Sequence, residues 1–156
     1  MGIPFMPVRG ILGSDYLQVQ PRFKTTTCPF SGRQVVAVAA INPDFAVIHA
    51  FQADTQGNVL IERLSDVDLA LRAATVAMAT VEEVVEPSQL QEDKQRRLLS
   101  WVNFHYIIHA PGGARPTACP GYYGLDGPEL RRYLAAARDP GSFRAYLDQT
   151  RPPAAA

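Results

Sequence analysis

The chain has 156 residues, of which 47% are hydrophobic and 19% are charged, a balance typical of a globular domain rather than a disordered chain. Lysine plus arginine equals aspartate plus glutamate at 15 each, so no basic surface predicts binding to nucleic acid. The apolar runs are too short to cross a bilayer, and no basic segment followed by an apolar one predicts a secretion signal or membrane attachment. The two cysteines, Cys28 and Cys119, form no CxxC motif, and we predict a reduced, cytoplasmic protein.

The two ends of the chain are poor in periodic sequence. Residues 1–33 contain many prolines and glycines and no long periodic run. The last residues, 151–156, are an arginine followed by prolines and alanines. We predict an irregular N-terminal segment over 1–33, an α/β domain over 34–150, and a flexible tail over 151–156.

Regular structure is predicted from residue 34 onward. Apolar, β-branched runs over 34–41 and 45–51 predict two strands separated by a turn, and a short extended piece follows at 59–62. A helix over 65–74 and a strand over 75–81 then complete a strand–helix–strand unit of the parallel type. Such nearly continuous apolar strands suit a sheet covered on both faces. We therefore predict an α/β fold with an open, mainly parallel sheet flanked by helices.

The second half of the chain continues the pattern less clearly. The charged segment 86–97 is interpreted as a solvated helix or a long surface loop. A fourth strand is predicted over 104–109, and a long loop rich in glycine, proline and aromatic residues follows over 110–126. Two final helices are predicted over 129–137 and 142–149, the first with proline in its first turn.

Polar side chains cluster after three of the predicted strands. In an open parallel sheet, ligands bind in the crevice at the carboxyl ends of the strands. If these strands are neighbours, their polar residues converge in one cleft. The candidates are His49, Gln52 and Asp54 after the second strand, Glu82 and Glu83 after the third, and His109, Gly112, Gly113 and Arg115 after the fourth.

Three of these groups also have structural interpretations. His49 lies within an apolar strand, where a hydrogen-bonded structural histidine is the alternative to a functional one. Asp54 followed by Gly57 is also what a tight turn requires. Gly112 and Gly113 offer either backbone N–H groups for an anionic oxygen or only the freedom that a tight loop needs.

The paired glutamates Glu82 and Glu83 predict one inward and one outward carboxylate. A buried carboxylate here is either a general base or an ion-pair partner of Arg115, and we favour the ion pair. A metal site is not predicted: His105 and His109 lie roughly 13 Å apart on a strand, and the glutamate of an HExxH motif is absent. The chain also has no P-loop, G-x-S-x-G or G-x-G-x-x-G motif.

Several motifs match those of one enzyme family in order and spacing. They are Gly2-Ile-Pro-Phe-Met-Pro-Val-Arg with Leu12-Gly-Ser-Asp, Pro29-Phe-Ser-Gly with Val35-Val-Ala-Val, Asn42-Pro-Asp with Ala46-Val-Ile-His-Ala and Ala53-Asp, Thr80-Val-Glu-Glu, and Ala110-Pro with Gly113-Ala-Arg-Pro and Gly121-Tyr-Tyr. Together they resemble the C-terminal half of the α subunit of glutaconate CoA-transferase, a class I CoA-transferase. The resemblance covers nearly the whole chain.

The resemblance implies an enzyme that moves CoA between carboxylic acids through a glutamyl-CoA thioester. In this family the nucleophilic glutamate lies in the β subunit, within an E-x-G motif that this sequence lacks, so it implies no catalytic residue in this chain. It implies acyl-CoA and a carboxylic acid as substrates, with no permanently bound cofactor. The implied partners are a β-type subunit, and with it a polypeptide that supplies the N-terminal half of the α subunit.

One departure from the family pattern concerns Arg115, which stands where the family usually has histidine. An arginine there is suited to holding the second carboxylate of a dicarboxylic substrate. Two other functions remain open. The same assembly can act as an acyl-CoA decarboxylase or hydrolase, as relatives on this scaffold do, or the chain can be a non-catalytic truncated subunit.

Overall fold

Residues 2–150 are described by the structure, a computed structural model, and they form two separate β-sheets with four α-helices. The first sheet contains β1 (Phe5–Val8), β2 (Phe23–Thr27) and β3 (Gln34–Ala39), and the short helix α1 (Tyr16–Val19) lies between β1 and β2 in the chain. Strand β3 is central and pairs antiparallel with both neighbours. The predicted tail at 151–156 lies outside the described residues.

The second sheet has five strands in the order β7-β5-β4-β6-β8. They are β4 (Phe45–Asp54), β5 (Val59–Glu62), β6 (Val76–Val85), β7 (Arg96–Leu99) and β8 (Tyr106–His109). Strands β4, β6 and β8 run parallel, whereas β5 pairs antiparallel with β4 and β7 antiparallel with β5. The α/β class is confirmed, but the prediction of a mainly parallel sheet is wrong.

Apolar periodicity does not reveal which strands pair or in which direction, and this pairing is what makes the sheets mixed. The run at 34–41 does not share a sheet with the next strand, because β3 pairs with β1 and β2. Strand β5 returns directly beside β4 through a tight turn in which Gly57 adopts φ +89°, and a turn this short allows only antiparallel pairing. The predicted strand–helix–strand unit is confirmed as β4 and β6 joined across α2 (Val67–Ala73).

The prediction of an irregular segment over 1–33 is wrong for β1, α1 and β2. Proline hides β1 from a pattern-based prediction: Pro7 lies within this strand, opposite Ala37 of β3. An edge strand tolerates proline because one side of its backbone makes no ladder bonds. The predicted boundary after residue 33 also falls within the first sheet, since β2 and β3 pair directly.

Strand β7 begins at the end of the charged segment 86–97, for which no strand is predicted. A short 3-10 turn over Pro87–Gln89 is followed by chain without regular structure and then by β7 at the edge of the sheet. The loop alternative therefore describes part of this segment, and the helix alternative is wrong. Edge strands often carry charged side chains. In β7, Arg96 and Arg97 are consecutive, so the alternation of apolar and polar residues that would predict a strand is absent.

The hydrophobic core lies between the five-stranded sheet and α2. Small residues of β4 and β6, among them Ala46, Ala50, Ala77 and Ala79, pack in one cluster with Leu71 of α2. The last two helices, α3 (Gly127–Ala136) and α4 (Pro140–Thr150), bury no residue fully and contact each other through three aromatic rings, those of Tyr133, Phe143 and Tyr146. Within residues 2–150, no helix is both long and apolar enough to cross a membrane.

Candidate active site beneath the 110–126 loop

The site forms on the neighbouring parallel strands β4 and β6. His49 and Thr80 are register partners, and Glu82 lies two residues beyond Thr80 on the same face, because side chains alternate along a strand. His49 Nδ1 lies 2.8 Å from the Thr80 hydroxyl, and His49 Nε2 lies 2.6 Å from Glu82 Oε1. Both strands continue past the predicted ends at 51 and 81, so Glu82 is held within a sheet rather than in a loop.

Glu82 is a buried carboxylate that accepts three hydrogen bonds. Its Oε1 accepts from His49 Nε2 and from the Tyr123 hydroxyl, and its Oε2 accepts from the Gly112 N–H at 2.7 Å. Burial alone would raise the pKa of Glu82, but the hydrogen bonds from Tyr123, Gly112 and His49 together hold the pKa below its ordinary value. Glu82 is therefore ionised near neutral pH.

The loop over 110–126 is held against the strands by these contacts. The Tyr123 hydroxyl donates to Glu82 and accepts from the Ala114 N–H at 3.0 Å. Gly113 packs so closely that a Cβ atom there would lie 2.8 Å from the Ala110 carbonyl oxygen and 2.9 Å from the His49 ring. Only glycine fits this approach, so the second glycine of the pair fixes how close the loop comes to His49.

The hydrogen bonds of His49 allow either protonation state of its ring. With Glu82 ionised, His49 Nε2 must carry a proton and donate it. In the neutral ring, Nδ1 accepts from the Thr80 hydroxyl. In the imidazolium, Nδ1 donates to that hydroxyl, which in turn lies 3.3 Å from the Ile48 carbonyl oxygen. Both arrangements leave the ring nitrogens of His49 hydrogen-bonded.

A cavity of ≈ 220 Å³ lies beside this cluster, and His49, Phe51 and Cys119 are among its lining residues. Burial and the nearby Glu82 carboxylate raise the pKa of the Cys119 thiol, so this thiol is protonated near neutral pH. Ligand atoms of His49, Glu82 and Cys119 lie within 4.8 Å of one another and are of the types that bind zinc. Atoms bound to one zinc ion lie ~3 Å or more apart, however, so the 2.6 Å contact between His49 and Glu82 is that of a hydrogen-bonded pair.

A second polar cluster surrounds Glu83, which is exposed. Glu83 Oε2 accepts from Gln52 Nε2 at 2.7 Å and from the Tyr122 hydroxyl at 3.2 Å. Burial, followed by the nearby Glu83 carboxylate, raises the pKa of Tyr122 to about 12. The Tyr122 ring stacks on Phe51. The prediction that one glutamate of the pair points inward and the other outward is confirmed.

Several predicted groups are thus brought together, and others are not. His49, Glu82, Gly112 and Gly113 meet in the first cluster, and His109 Nε2 lies 3.2 Å from the Glu82 backbone carbonyl. Gln52 and Glu83 form the second cluster. Asp54 lies apart: its carboxylate accepts from the backbone N–H groups of Gln56 and Asn58, as the turn interpretation predicts.

The favoured ion pair between Glu82 and Arg115 is wrong. The Arg115 guanidinium lies 4.6 Å from the centre of the Tyr123 ring, and its Nη1 lies 4.0 Å from Asp126 Oδ2. Glu82 is buried and already accepts hydrogen bonds from three other donors. Arg115 is instead exposed on the outer side of the loop.

Sequence reasoning missed Thr80, Cys119 and both tyrosines as site residues. Thr80 had a usable signal, because it lies two residues before Glu82 and so shares its face of the strand. The two tyrosines had only their place in the Gly121-Tyr-Tyr motif, and Cys119 had no signal, since all three lie on a long loop whose path the sequence does not define.

Comparisons with known proteins agree with this fold. A family model described as Coenzyme A transferase matches residues 1–110. The chain is 37% identical to one subunit of the 3-oxoadipate CoA-transferase of Pseudomonas knackmussii over 149 residues, which are 95% of this chain and 52% of that protein. The chain belongs to the coenzyme A transferase family.

Two solved structures are similar over nearly the whole chain. The glutaconate coenzyme A-transferase from Acidaminococcus fermentans is 29% identical with a TM-score of 0.81, covering 95% of this chain and 52% of that one. The decarboxylase AibA/AibB, crystallised as a cysteine-to-serine variant, is 34% identical with a TM-score of 0.77, covering 96% and 54%. This chain therefore spans about half the length of the relatives it matches.

Proposed function

We propose that this chain is the C-terminal half of the α subunit of a heteromeric CoA-transferase and acts only as part of that complex. The observation that carries the proposal is the similarity to a CoA-transferase subunit over 95% of the chain. The motif resemblance to glutaconate CoA-transferase α subunits supports the same assignment. The complex would contain a β-type subunit together with a polypeptide, or further segment, that supplies the N-terminal half of the α subunit.

The geometry of Glu82 supports a nucleophile on the partner subunit. A carboxylate nucleophile needs an oxygen lone pair directed at the substrate carbonyl. Both oxygens of Glu82 already accept hydrogen bonds, and the side chain is buried. Its low pKa also makes it a weak base. We therefore assign Glu82 to positioning the loop and the ring of His49, and we assign no catalytic residue to this chain.

The proposed reaction exchanges CoA in balanced steps. The partner's glutamate carboxylate attacks the acyl-CoA carbonyl and expels CoA thiolate, forming an acyl-glutamyl anhydride. The thiolate attacks the glutamyl carbonyl of that anhydride, which forms the glutamyl-CoA thioester and releases the first acid as a carboxylate. The second acid then reverses both steps and leaves as its CoA thioester. No permanently bound cofactor is needed, because CoA enters and leaves as part of the substrates.

Arg115 is proposed to bind a second carboxylate of the acid substrate. Its side chain is 57% exposed, and its guanidinium is held over Tyr123 beside the half-buried Asp126. Because its contact with Asp126 is long, the guanidinium can still bind a carboxylate of a ligand. 3-Oxoadipate and glutaconate, the acids in the names of two relatives, are dicarboxylates. The remaining candidates, Gln52, Asp54, Glu83 and Gly112, are proposed to shape the cleft or its subunit interface.

Decarboxylation of an acyl-CoA is the second candidate function. The decarboxylase AibA/AibB matches this chain at 34% identity, close to the identity shared with the transferase subunit. Hydrolysis is a third outcome of the same scaffold. In each case the residue that decides the reaction would lie on the partner subunit.

The test is an assay of the purified complex with an acyl-CoA and a second acid. Transfer predicts a new acyl-CoA with no free thiol and no carbon dioxide. Free CoA thiol without a new thioester would indicate hydrolysis, and carbon dioxide release would indicate decarboxylation. A stable complex with none of these products would contradict an enzymatic role and favour the non-catalytic alternative.

A further inference from the structure

The five-stranded sheet leaves one of its two faces uncovered. Val47, Met78 and Tyr106 are register partners across β4, β6 and β8, so their side chains lie in one row on the same face. Val47 is 63% exposed and Tyr106 is 59% exposed. These are unusual values for apolar side chains in the parallel strands of an α/β sheet, which are normally buried on both faces.

Neighbouring rows extend this apolar surface. Phe45 pairs with Val76 in the row before, and Ile108 lies in the row after. We call the surface the open face, and it comprises Phe45, Val47, Val76, Met78, Tyr106 and Ile108. None of the six is charged, and Phe45 and Ile108 are also exposed. An uncharged patch of this kind marks a site of interaction.

The opposite face of the same strands is covered. Ala46, Ala77 and Ala79 alternate with the open-face residues and are buried in the core together with Leu71 of α2. The outer edge of the sheet is incomplete as well, since β8 pairs with β6 and ends the strand order. One sheet face and one parallel strand edge thus remain unpartnered within residues 2–150.

This chain matches about half the length of its relatives. We propose that the open face and the outer edge of β8 bind the segment that corresponds to the relatives' other half. The proposal rests on the proposed function, because it names the position of that complex's missing half. The two similar solved structures are covered to 52% and 54%, so a segment of comparable size is available. The chemistry required is an amphipathic helix with an apolar stripe and a strand that pairs with β8.

A second copy of this chain joined edge to edge at β8 would not cover the surface. A two-fold axis that joined two β8 edges would pair them antiparallel and extend the sheet. Edge pairing of this kind adds hydrogen bonds but covers neither open face. The six apolar side chains would therefore stay exposed in such a dimer.

The bound segment would also border the candidate active site. His49 and Thr80 lie in the same row as Ile108, which belongs to the open face. The same surface therefore leads from the proposed interface to the hydrogen-bonded cluster.

Photocrosslinking of the full-length protein in its own host tests the proposal. A photoreactive amino acid replaces Val47 in one variant and Leu69 in a control. Leu69 is 70% exposed and lies on α2, which covers the opposite face of the sheet. We expect crosslinks from position 47 to exceed those from position 69 by at least about tenfold. Mass spectrometry should identify the linked peptides as matching the unspanned half of the relatives, on the same polypeptide or on another.

Other crosslinking outcomes would overturn the proposal. Crosslinks to residues 2–150 of a second copy would show that the open face binds another copy of this chain instead. Crosslinks to an unrelated sequence, or a yield no higher than at position 69, would place the missing half elsewhere. A second pair of variants checks for misfolding: Val47→Lys should keep the wild-type circular dichroism spectrum yet lose the complex, whereas Leu69→Lys should keep both.

The result is separable from that of the transfer assay. Crosslinks to the expected segment without CoA transfer would refute the proposed function and leave the interface intact. CoA transfer by a Val47→Lys complex that assembles normally would refute the interface and leave the function intact.

Discussion

Glu82 and Glu83 are consecutive residues of one strand with opposite surroundings. Glu82 is buried and accepts hydrogen bonds from His49, Tyr123 and Gly112, whereas Glu83 is exposed and accepts from Gln52 and Tyr122. The difference arises because successive side chains of a strand point to opposite faces of the sheet. A hydrogen bond to a buried carboxylate contributes more to stability than one to an exposed carboxylate. Glu82 should therefore hold the 110–126 loop in place, and Glu83 should contribute little to stability.

The largest expected effect separates the two glutamates directly. Glu82→Gln removes a buried charge from its three donors and places an amide N–H against one of them, which should lower the free energy of unfolding by about 3 kcal/mol. Glu83→Gln is the matched control and should change it by less than about 0.5 kcal/mol. Urea denaturation of both variants measures the difference. Equal effects would contradict the assigned roles.

The pH dependence of stability sharpens this comparison. Because the pKa of Glu82 is lower in the folded chain than in the unfolded chain, its contribution is present above the unfolded value of about 4.3 and is lost as the pH falls through the folded value. Wild-type protein should therefore lose stability more steeply than Glu82→Gln below about pH 4.3. Denaturation curves collected from pH 7 downward measure this, and parallel profiles would contradict it.

Gly113→Ala should have the next largest effect. Its Cβ would press against the Ala110 carbonyl and the His49 ring, so the loop must shift, at a cost of about 2 kcal/mol. Gly124 lies in the same loop with no atom near its missing Cβ, and Gly124→Ala should stay within about 0.5 kcal/mol of wild type. Thermal denaturation compares them. Identical melting temperatures would mean that the loop does not pack on His49 in solution.

Tyr123→Phe and Tyr122→Phe compare the same deletion in the two clusters. Loss of the Tyr123 hydroxyl removes a hydrogen bond to an ionised buried group and should cost about 1.5 kcal/mol. Loss of the Tyr122 hydroxyl removes a longer bond to the exposed Glu83 and should cost no more than about 0.5 kcal/mol. Denaturant titration measures both values. A larger loss for Tyr122→Phe would reverse the ranking of the clusters.

Arg115→Ala should have the smallest effect on stability and a selective effect on activity. Its contact with Asp126 is long and exposed, so we expect a change below about 0.5 kcal/mol. In the complex, the variant should use dicarboxylic acids less well while its use of monocarboxylic acids is retained. Comparing kcat/KM for the two classes measures this. Equal losses would refute a role in binding a second carboxylate.

The sequence predicts which polar side chains meet better than it predicts the sheets. Four residues of the first cluster, His49, Glu82, Gly112 and Gly113, are expected to converge because parallel strands bring their carboxyl ends together. The sheets were harder, because the apolar run of β3 does not reveal whether its partners lie before or after it in the chain. Pro7 also concealed β1, since proline is compatible with strands only at an edge.

The partners of Glu82 were predicted incorrectly for a related reason. Charge alone favours Arg115, which follows β8 within a few residues. The structure instead satisfies Glu82 with a tyrosine hydroxyl, a backbone N–H and a histidine ring, none of which needs to bring a full positive charge into the interior. Burying a guanidinium carries a desolvation penalty, and Arg115 remains outside.

Under the proposed function, this chain shapes the cleft of a CoA-transferase whose nucleophile lies on the partner subunit. The most direct test is to incubate the complex with an acyl-CoA, trap the enzyme-bound thioester with hydroxylamine, and locate the modified glutamate by peptide mass spectrometry. We predict a hydroxamate on the partner subunit but none on this chain. A hydroxamate on Glu82 or Glu83, or no trapped thioester in a complex that transfers CoA, would contradict the account.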